Sequence, residues 1–425
     1  MMPGTNRIYP AETADIKHFV SGINQRNDHY LHAIIEFDGF LNIASLKKAL
    51  RSTFRALPML TCRFVRSAEK AWWEEAGWTE DAMIDLIQTD NKEQTIQQQL
   101  ICKPNELKGP QIHIGVVRTG ENDSLAIVLN HMICDGGGIR DYLYLLATCY
   151  TTIEQQGDPS VIKMPLADHR SFQQVFEHLS AEQLKTIQET TVCHYPQTEK
   201  DHLPLQGDPS HPFVIRHRLA AERFDTIKKH AKQFNATIND ALFAAYICAM
   251  ADYLPVEKII LDCPVNARAY LPTDYQPGFC NLTSNIICAI PTHHGECYEE
   301  ALTSVKKVMD EQKGSLSPLS VYWDLDQAYM TLPLNDAIKE FPKIYRIPIN
   351  GMTNIGILDA EKLRFGSATP VNASISGSIK YAPYFQIAVT TFQKSMTFST
   401  NFHGTENDFQ FLDHLVTKMI GYFPE

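Results

Sequence analysis

The stretch Leu125–Arg140, LAIVLNHMICDGGGIR, decides how the rest of the chain is read. Its apolar run Leu125–Leu129 reads as a buried strand. His131 then stands where that strand leaves the core, a place where folds often put chemistry. Asp135 follows at the mouth of Gly136-Gly137-Gly138, whose freedom suits a sharp turn and leaves backbone N–H groups uncovered. Beyond the glycines, Asp141 and the pattern Tyr142, Leu143, Leu145, Leu146 predict a helix running to about Tyr150. Taken alone, the stretch is open to two readings. One is a catalytic histidine; the other is a core histidine hydrogen-bonded at a strand end and followed by a turn aspartate.

The flanking segments resolve into strands and helices. His29–Phe37 reads as a strand ended by Asp38-Gly39, and Asn42 caps a helix running to about Ala56, with Ile43, Leu46, Leu50 and Phe54 close to one face. Pro58 stops it, and Met59–Arg66 reads as a strand. Trp72–Trp78 holds three of the four tryptophans and reads as a half-buried surface cluster. Gln94–Leu100 predicts a helix, and the strands Gln111–Arg118 and Ser124–His131 are joined by the hairpin signal Gly120-Glu121-Asn122-Asp123. From 151 to 211 the composition turns polar, which marks a crossover carrying one or two helices.

Beyond the crossover the same style returns. Strands are expected at Phe213–Leu219, Lys258–Val265, Thr283–Ile290, Met352–Leu358, Phe385–Phe392 and Met396–Phe402. Helices are expected at Ala221–Phe234, Tyr298–Gln312, Ser320–Ile338 and Phe409–Gly421, and at Ile238–Tyr253, which is apolar on most sides and hence buried. The division is into a lobe of residues 1–175 carrying His131 and a lobe of residues 176–425. Alternating strands and helices without regular βαβ spacing predict an α/β fold of mixed sheets with covering helices.

Composition narrows the function. With 38 basic against 49 acidic side chains the net charge is −11, which excludes a general nucleic-acid binder, since that needs a dense basic stripe. No apolar stretch reaches the roughly 18 residues of a membrane span, and the N-terminus lacks the charged-then-apolar pattern of a signal peptide. Ten cysteines without a CxxC pair fit reduced thiols in a cytoplasmic protein. His293-His294 has no partner motif at metal-ligand spacing, so no metal is expected.

Four stretches together resemble one superfamily. His131-Met132-Ile133-Cys134-Asp135-Gly136, Asn239-Asp240-Ala241-Leu242-Phe243-Ala244, Pro264-Val265-Asn266-Ala267-Arg268 and Thr353-Asn354-Ile355-Gly356 are similar to the HxxxDG, NDVxxA, PVNxR and SNxG stretches of acyltransferases related to chloramphenicol acetyltransferase. That group includes the alcohol acyltransferases, wax ester synthases, polyketide-associated acyltransferases and condensation domains of nonribosomal peptide synthetases. The motifs keep the order and spacing of that group over nearly the whole chain. Asn130 stands where condensation domains usually carry a first histidine, which tilts the reading towards free-standing O-acyltransferases. The wax ester synthase PLW tripeptide is missing.

The resemblance implies two chloramphenicol-acetyltransferase-like lobes forming a pseudo-dimer, with the active site in a tunnel between them. It also implies an acyltransferase that moves groups other than aminoacyl from a thioester to a hydroxyl acceptor. His131 would be the general base, since imidazole titrates close to neutral pH. The donor would be acyl-CoA or an acyl carrier protein, its CoA or phosphopantetheine thioester a substrate, with no other cofactor. The acceptor would be a small alcohol or amine. Cys134, a rival nucleophile, falls in the variable part of the motif and reads as an inert packed thiol. Gly136 and Gly137 are candidate oxyanion donors at a helix start; Thr353 and Asn354 read either as side-chain donors or as a polar strand edge, and Asn266 either as a residue facing the tunnel or as an ordinary turn residue. In the resembling families the aspartate turns away from the site to pair with an arginine, which assigns Asp135 and Arg268 a structural role. Lys228, Lys229 and Lys232, or Lys306 and Lys307, are candidates for a basic donor mouth. Two alternatives stand beside this: a stand-alone condensation enzyme forming an amide from carrier-bound substrates, and a non-catalytic relative acting as a binding module.

Overall fold

The computed structural model describes residues 7–191, 194–312 and 314–425. Among them the strands gather into a five-stranded, a seven-stranded and a small three-stranded sheet, covered by helices. The five-stranded sheet runs Pro370–Ser376, Tyr30–Phe37, Asp123–Asn130, Ile112–Arg118, Ile84–Gln88. Asp123–Asn130 is its centre, antiparallel to both neighbours, and every one of its residues is buried. A strand covered on both faces has no solvent side to alternate with, which accounts for the unbroken apolar run. Ile84–Gln88 pairs in parallel, so the sheet is mixed. Its edge strand Pro370–Ser376 comes from far along the chain and pairs with Tyr30–Phe37.

The seven-stranded sheet is also mixed. It runs Thr283–Pro291, Lys258–Asn266, Asn350–Leu358, Phe385–Phe392, Ser395–His403 and Lys380–Tyr381, with Pro212–Leu219 also paired to Ser395–His403. Asn350–Leu358 lies parallel to both of its neighbours. Ile238–Ala251 is buried on nearly every side in this lobe's core, as its apolar surface requires. In the crossover, Gln173–Phe176 and Ala181–Glu189 are helical, and Arg170 ties the segment to the first lobe through a buried ion pair with Asp15 at 2.7 Å.

Four local expectations change. The helix after the motif begins at Gly136, not near Asp141, and continues to Gln156. Asp135 is its N-cap, accepting from the Gly138 N–H at 2.7 Å, so the glycines form a first helical turn instead of a loose one. Their value is close approach: a Cβ on Gly138 would lie 2.7 Å from that of Cys134, and one on Gly137 3.0 Å from Arg268 Nη1. The expected helix Ser320–Ile338 is two, Ser317–Thr331 and Leu334–Ile344, divided before Pro333, because a residue preceding proline is driven out of the helical region. Met59–Arg66 is a short 3₁₀ turn, Pro58–Thr61, followed by the strand Cys62–Arg66. The tryptophans separate: Trp73 is fully buried, donating from Nε1 to Asp15 at 2.8 Å, while Trp78 lies at the surface.

Candidate active site

His131 prolongs the central strand, its N–H donating to the His29 carbonyl at 2.9 Å. The buried Asn130 side chain pins the exit, donating to Gln111 Oε1 at 2.8 Å and accepting from the Met132 N–H at 2.9 Å. The imidazole faces a cavity of about 180 Å³ between the two large sheets. Leu31 and His131 enter it from one sheet, Asp262, Thr353 and Gln386 from the other.

Asn281 decides the form of the ring. Its Nδ2 donates to the carbonyls of His131 and Met132 at 2.8 and 2.9 Å, which turns its Oδ1 towards His131 Nδ1 at 3.1 Å. An amide oxygen only accepts, so Nδ1 carries the proton and Nε2 keeps its lone pair. Burial first, and then the charges of Lys17 and Lys380, lower the imidazole to about 4 against the opposing pull of its own carbonyl and Asp135. The ring is therefore neutral at neutral pH. His18 stacks on it with centroids 3.9 Å apart.

Asp135 is fully buried and turned into the protein. Its carboxylate pairs with Arg268 Nη1 at 2.9 Å and accepts from the Leu282 N–H at 2.7 Å and the Thr283 hydroxyl at 2.8 Å, besides capping its helix. Burial works to raise its carboxyl, but the Arg268 charge and these hydrogen bonds hold it at about 2. Arg268 also donates to the Cys280 carbonyl at 3.0 Å and to Asn266 Oδ1 at 3.3 Å. Asp135 and Arg268, 133 positions apart, thus staple the motif to the second lobe.

Gly136 and Gly137 line the cavity at the N-terminus of the Gly136–Gln156 helix. Thr353, Asn354 and Asn266 line it too. Asn354 sits at a bulge, donates to Asn239 Oδ1 at 3.3 Å and accepts from the Gly356 N–H at 3.0 Å. Cys134 is fully buried behind the motif, where burial and then the Asp135 charge push its thiol well above the ordinary range. That is the environment of a packing thiol, not of a nucleophile. Lys228, Lys229 and Lys232 lie on Ala221–Gln233, Lys306 and Lys307 on Tyr298–Gln312, and none of the five lines the His131 cavity.

Among the residues at or behind the cavity that have no counterpart in the motif reading are Lys17, His18, Asn281, Asp262 and Lys380. The only sequence signal for the first two is a Lys-His step inside an apolar segment, Ile16 to Val20, now the helix Thr13–Ile23. Asn281 lies two residues before Thr283–Pro291 and becomes visible only once that edge strand is folded against the motif.

No family model matches the chain. In sequence it is similar to a linear gramicidin synthase component from Brevibacillus parabrevis, 26% identical over 266 residues, or 58% of this chain and 3% of that protein. Gramicidin S synthase 1 of Brevibacillus brevis is 23% identical over 197 residues, 43% of this chain and 18% of that protein. The chain thus spans a small part of the length of either relative. In structure it is similar to the trichothecene 15-O-acetyltransferase of Fusarium sporotrichioides, with TM-score 0.73 and 15% identity over 99% of this chain and 96% of that one. The first condensation domain of the calcium-dependent antibiotic synthetase gives TM-score 0.69 and 15% identity, over 98% and 96%. The starter condensation domain of rhizomide synthetase, a mutant in complex with C8-CoA and Leu-SNAC, gives 0.67 and 13%, over 98% and 94%. The chain has the two-lobed fold that these condensation domains and this acetyltransferase share. Among the described residues no helix is long and apolar enough to cross a membrane.

Proposed function

We propose that this protein is an acyltransferase that moves an acyl group from a thioester, acyl-CoA or carrier-bound, to the hydroxyl of a small acceptor, with His131 as general base. The observation that carries this reading is the His131 ring at the cavity between the lobes, its Nδ1 held by Asn281 Oδ1 so that Nε2 is the nitrogen left with a lone pair. Nε2 takes the acceptor proton as the oxygen attacks the thioester carbonyl. The tetrahedral oxyanion forms beside the Gly136 and Gly137 N–H groups, where the helix dipole favours negative charge. Collapse breaks the C–S bond, and the departing thiolate takes the proton back from the imidazolium. The burial of Cys134 supports direct attack over a covalent enzyme intermediate. Asp135 and Arg268 serve by holding the motif loop in place.

Amide formation from carrier-bound substrates is the second reading, favoured by the peptide synthetases among the sequence relatives. Mass spectrometry of products from a panel of acyl-CoAs with simple alcohols and amines separates the two. In the same assay His131→Ala should fold normally and lose roughly two to four orders of magnitude in kcat, the usual share of a general base. Near-normal turnover by that variant overturns the mechanism.

A further inference from the structure

The His131 cavity holds a charge arrangement that the acyl-transfer chemistry does not use. Lys17 and Lys380 both line it. Lys17, only 4% exposed, reaches it from the helix Thr13–Ile23. Its ammonium lies 3.5 Å from the Thr283 carbonyl and above the rings of Tyr322 and Tyr345, at 4.6 and 5.1 Å from their centroids. Lys380 arrives from the two-residue strand Lys380–Tyr381, and among the described residues its ammonium has no side-chain hydrogen bond or ion pair. Among those residues, neither lysine has a carboxylate within about 4 Å, the reach of a salt bridge.

The other charges at the cavity are already matched. Asp135 is paired with Arg268 at 2.9 Å, and Arg140 with Asp141 at 2.9 Å. Among the described residues that leaves Asp262 as the only unpaired carboxylate lining the cavity opposite two lysines, with Asp28 also acting on Lys380 through space. One Asp262 oxygen accepts from Asn285 Nδ2 at 2.7 Å, and burial raises that carboxyl to about 6 against the pull of Lys380, Asn285 and Lys17. Lys17, lowered by burial to about 8, stays mostly protonated at neutral pH. Burial lowers Lys380 as well, against the pull of Asp262 and Asp28, and among the described residues the two ammonium groups face the cavity with no carboxylate in contact with either. A buried cation without a contacting anion is costly, and a fold that keeps Lys17, with the half-buried Lys380 on the same cavity, beside its reactive histidine has a use for them. The remaining wall mixes polar Ser21, Asn27 and Gln386 with apolar Leu31, Val265 and Ile355, which suits a small molecule with one charged end and a short carbon skeleton. Behind Asp262, Asn285 and Tyr345 a second cavity of about 290 Å³ offers further room.

We propose that Lys17 and Lys380 form a carboxylate-binding subsite, so that the acceptor is a small hydroxy acid whose carboxylate rests between the two ammonium groups while its hydroxyl meets His131. The acceptor assignment rests on the acyltransferase reading; the anion subsite itself does not. A carboxylate would supply the contacting anion that both ammonium groups lack. It would also relieve the cationic field that weakens His131 as a base, so binding of the right acceptor would strengthen the group that activates it.

The test is isothermal titration of the full chain with 2-, 3- and 4-hydroxybutyrate, each against its methyl ester, followed by acyl-transfer assays. At least one acid should bind about tenfold to a hundredfold more tightly than its ester, the worth of one or two charge-assisted hydrogen bonds. Lys380→Gln should erase that preference and Lys380→Glu reverse it, with circular dichroism confirming that each variant is folded. Lys17→Met provides an independent second removal. Equal binding of acid and ester, no binding of either, or a preference that survives in folded Lys380→Gln and Lys17→Met overturns the subsite. Tight binding of an acid without acyl transfer from any thioester leaves the subsite standing and sinks the His131 reading; transfer without acid preference does the reverse. A donor arm compares succinyl-CoA with butyryl-CoA on butanol. If charge preference appears only there, the anion belongs to the donor and the acceptor assignment is overturned.

Discussion

Asp135 and Asp262 are both buried in the wall of one cavity, and their carboxyl groups are driven in opposite directions, to about 2 and to about 6. Both lose water, and both have cations nearby. The difference is contact. Asp135 touches its arginine and accepts three further hydrogen bonds, so its ionised form is better satisfied inside the protein than in water. Asp262 feels Lys17 and Lys380 only through space and has one amide donor. A charge at a distance does not replace a lost hydration shell; a charge in contact, backed by directed donors, does. The first arrangement locks a loop. The second leaves positive charge free to meet a ligand.

The largest effect that tests this contrast is on stability. Asp135→Ala and Arg268→Ala should each cost about 3–5 kcal/mol in urea unfolding, because each leaves a buried charge without its partner. The double variant should cost clearly less than the sum. Strict additivity would mean that the two groups do not couple.

Asp262 should behave the other way. A carboxyl whose folded value is raised contributes stability that is fully present below its unfolded value near pH 4 and is lost as pH rises through about 6. Asp262→Asn should therefore be more stable than the parent by about 2 kcal/mol at pH 8, with the gap closing by pH 4. For Asp135, held at about 2, the sign reverses: its contribution is present above about pH 4 and is lost as pH falls through the folded value. An Asp262→Asn variant less stable than the parent at pH 8 would show that its ionised form is well satisfied after all.

The smallest effect concerns the base. With His131 held at about 4, the acid limb of kcat/KM should lie well below the ordinary histidine range. Asn281→Asp places a negative charge against Nδ1, which favours the imidazolium, and should move that limb up by about one pH unit. A limb that stays in place would separate Asn281 from the ionisation of His131.

Much of the fold can be read locally. The all-buried strand before His131, the Asn42 cap and the buried helix Ile238–Ala251 follow from runs and periodicities that neighbouring residues set among themselves. The glycine turn departs from its local reading because its conformation is decided by what lies against it, Cys134 on one side and Arg268 from the other lobe. The edge strand Pro370–Ser376 has no local signature for a similar reason: its partner, Tyr30–Phe37, is more than 300 positions away. Within the site, His131, Asp135 and Arg268 are legible through their motifs, and the structure joins the last two at 2.9 Å.

What the sequence alone determined is the presence of a histidine at a strand exit, an aspartate at the mouth of a glycine turn, and an arginine in a second motif. Only the tertiary structure decided the state of these groups. The proton on His131 Nδ1 depends on Asn281, 150 positions along the chain, and the weakness of that base depends on burial and on Lys17 and Lys380. Burial and charge act through distance in space, and the distances here are set by two sheets closing on one cavity, not by the spacing of residues along the chain.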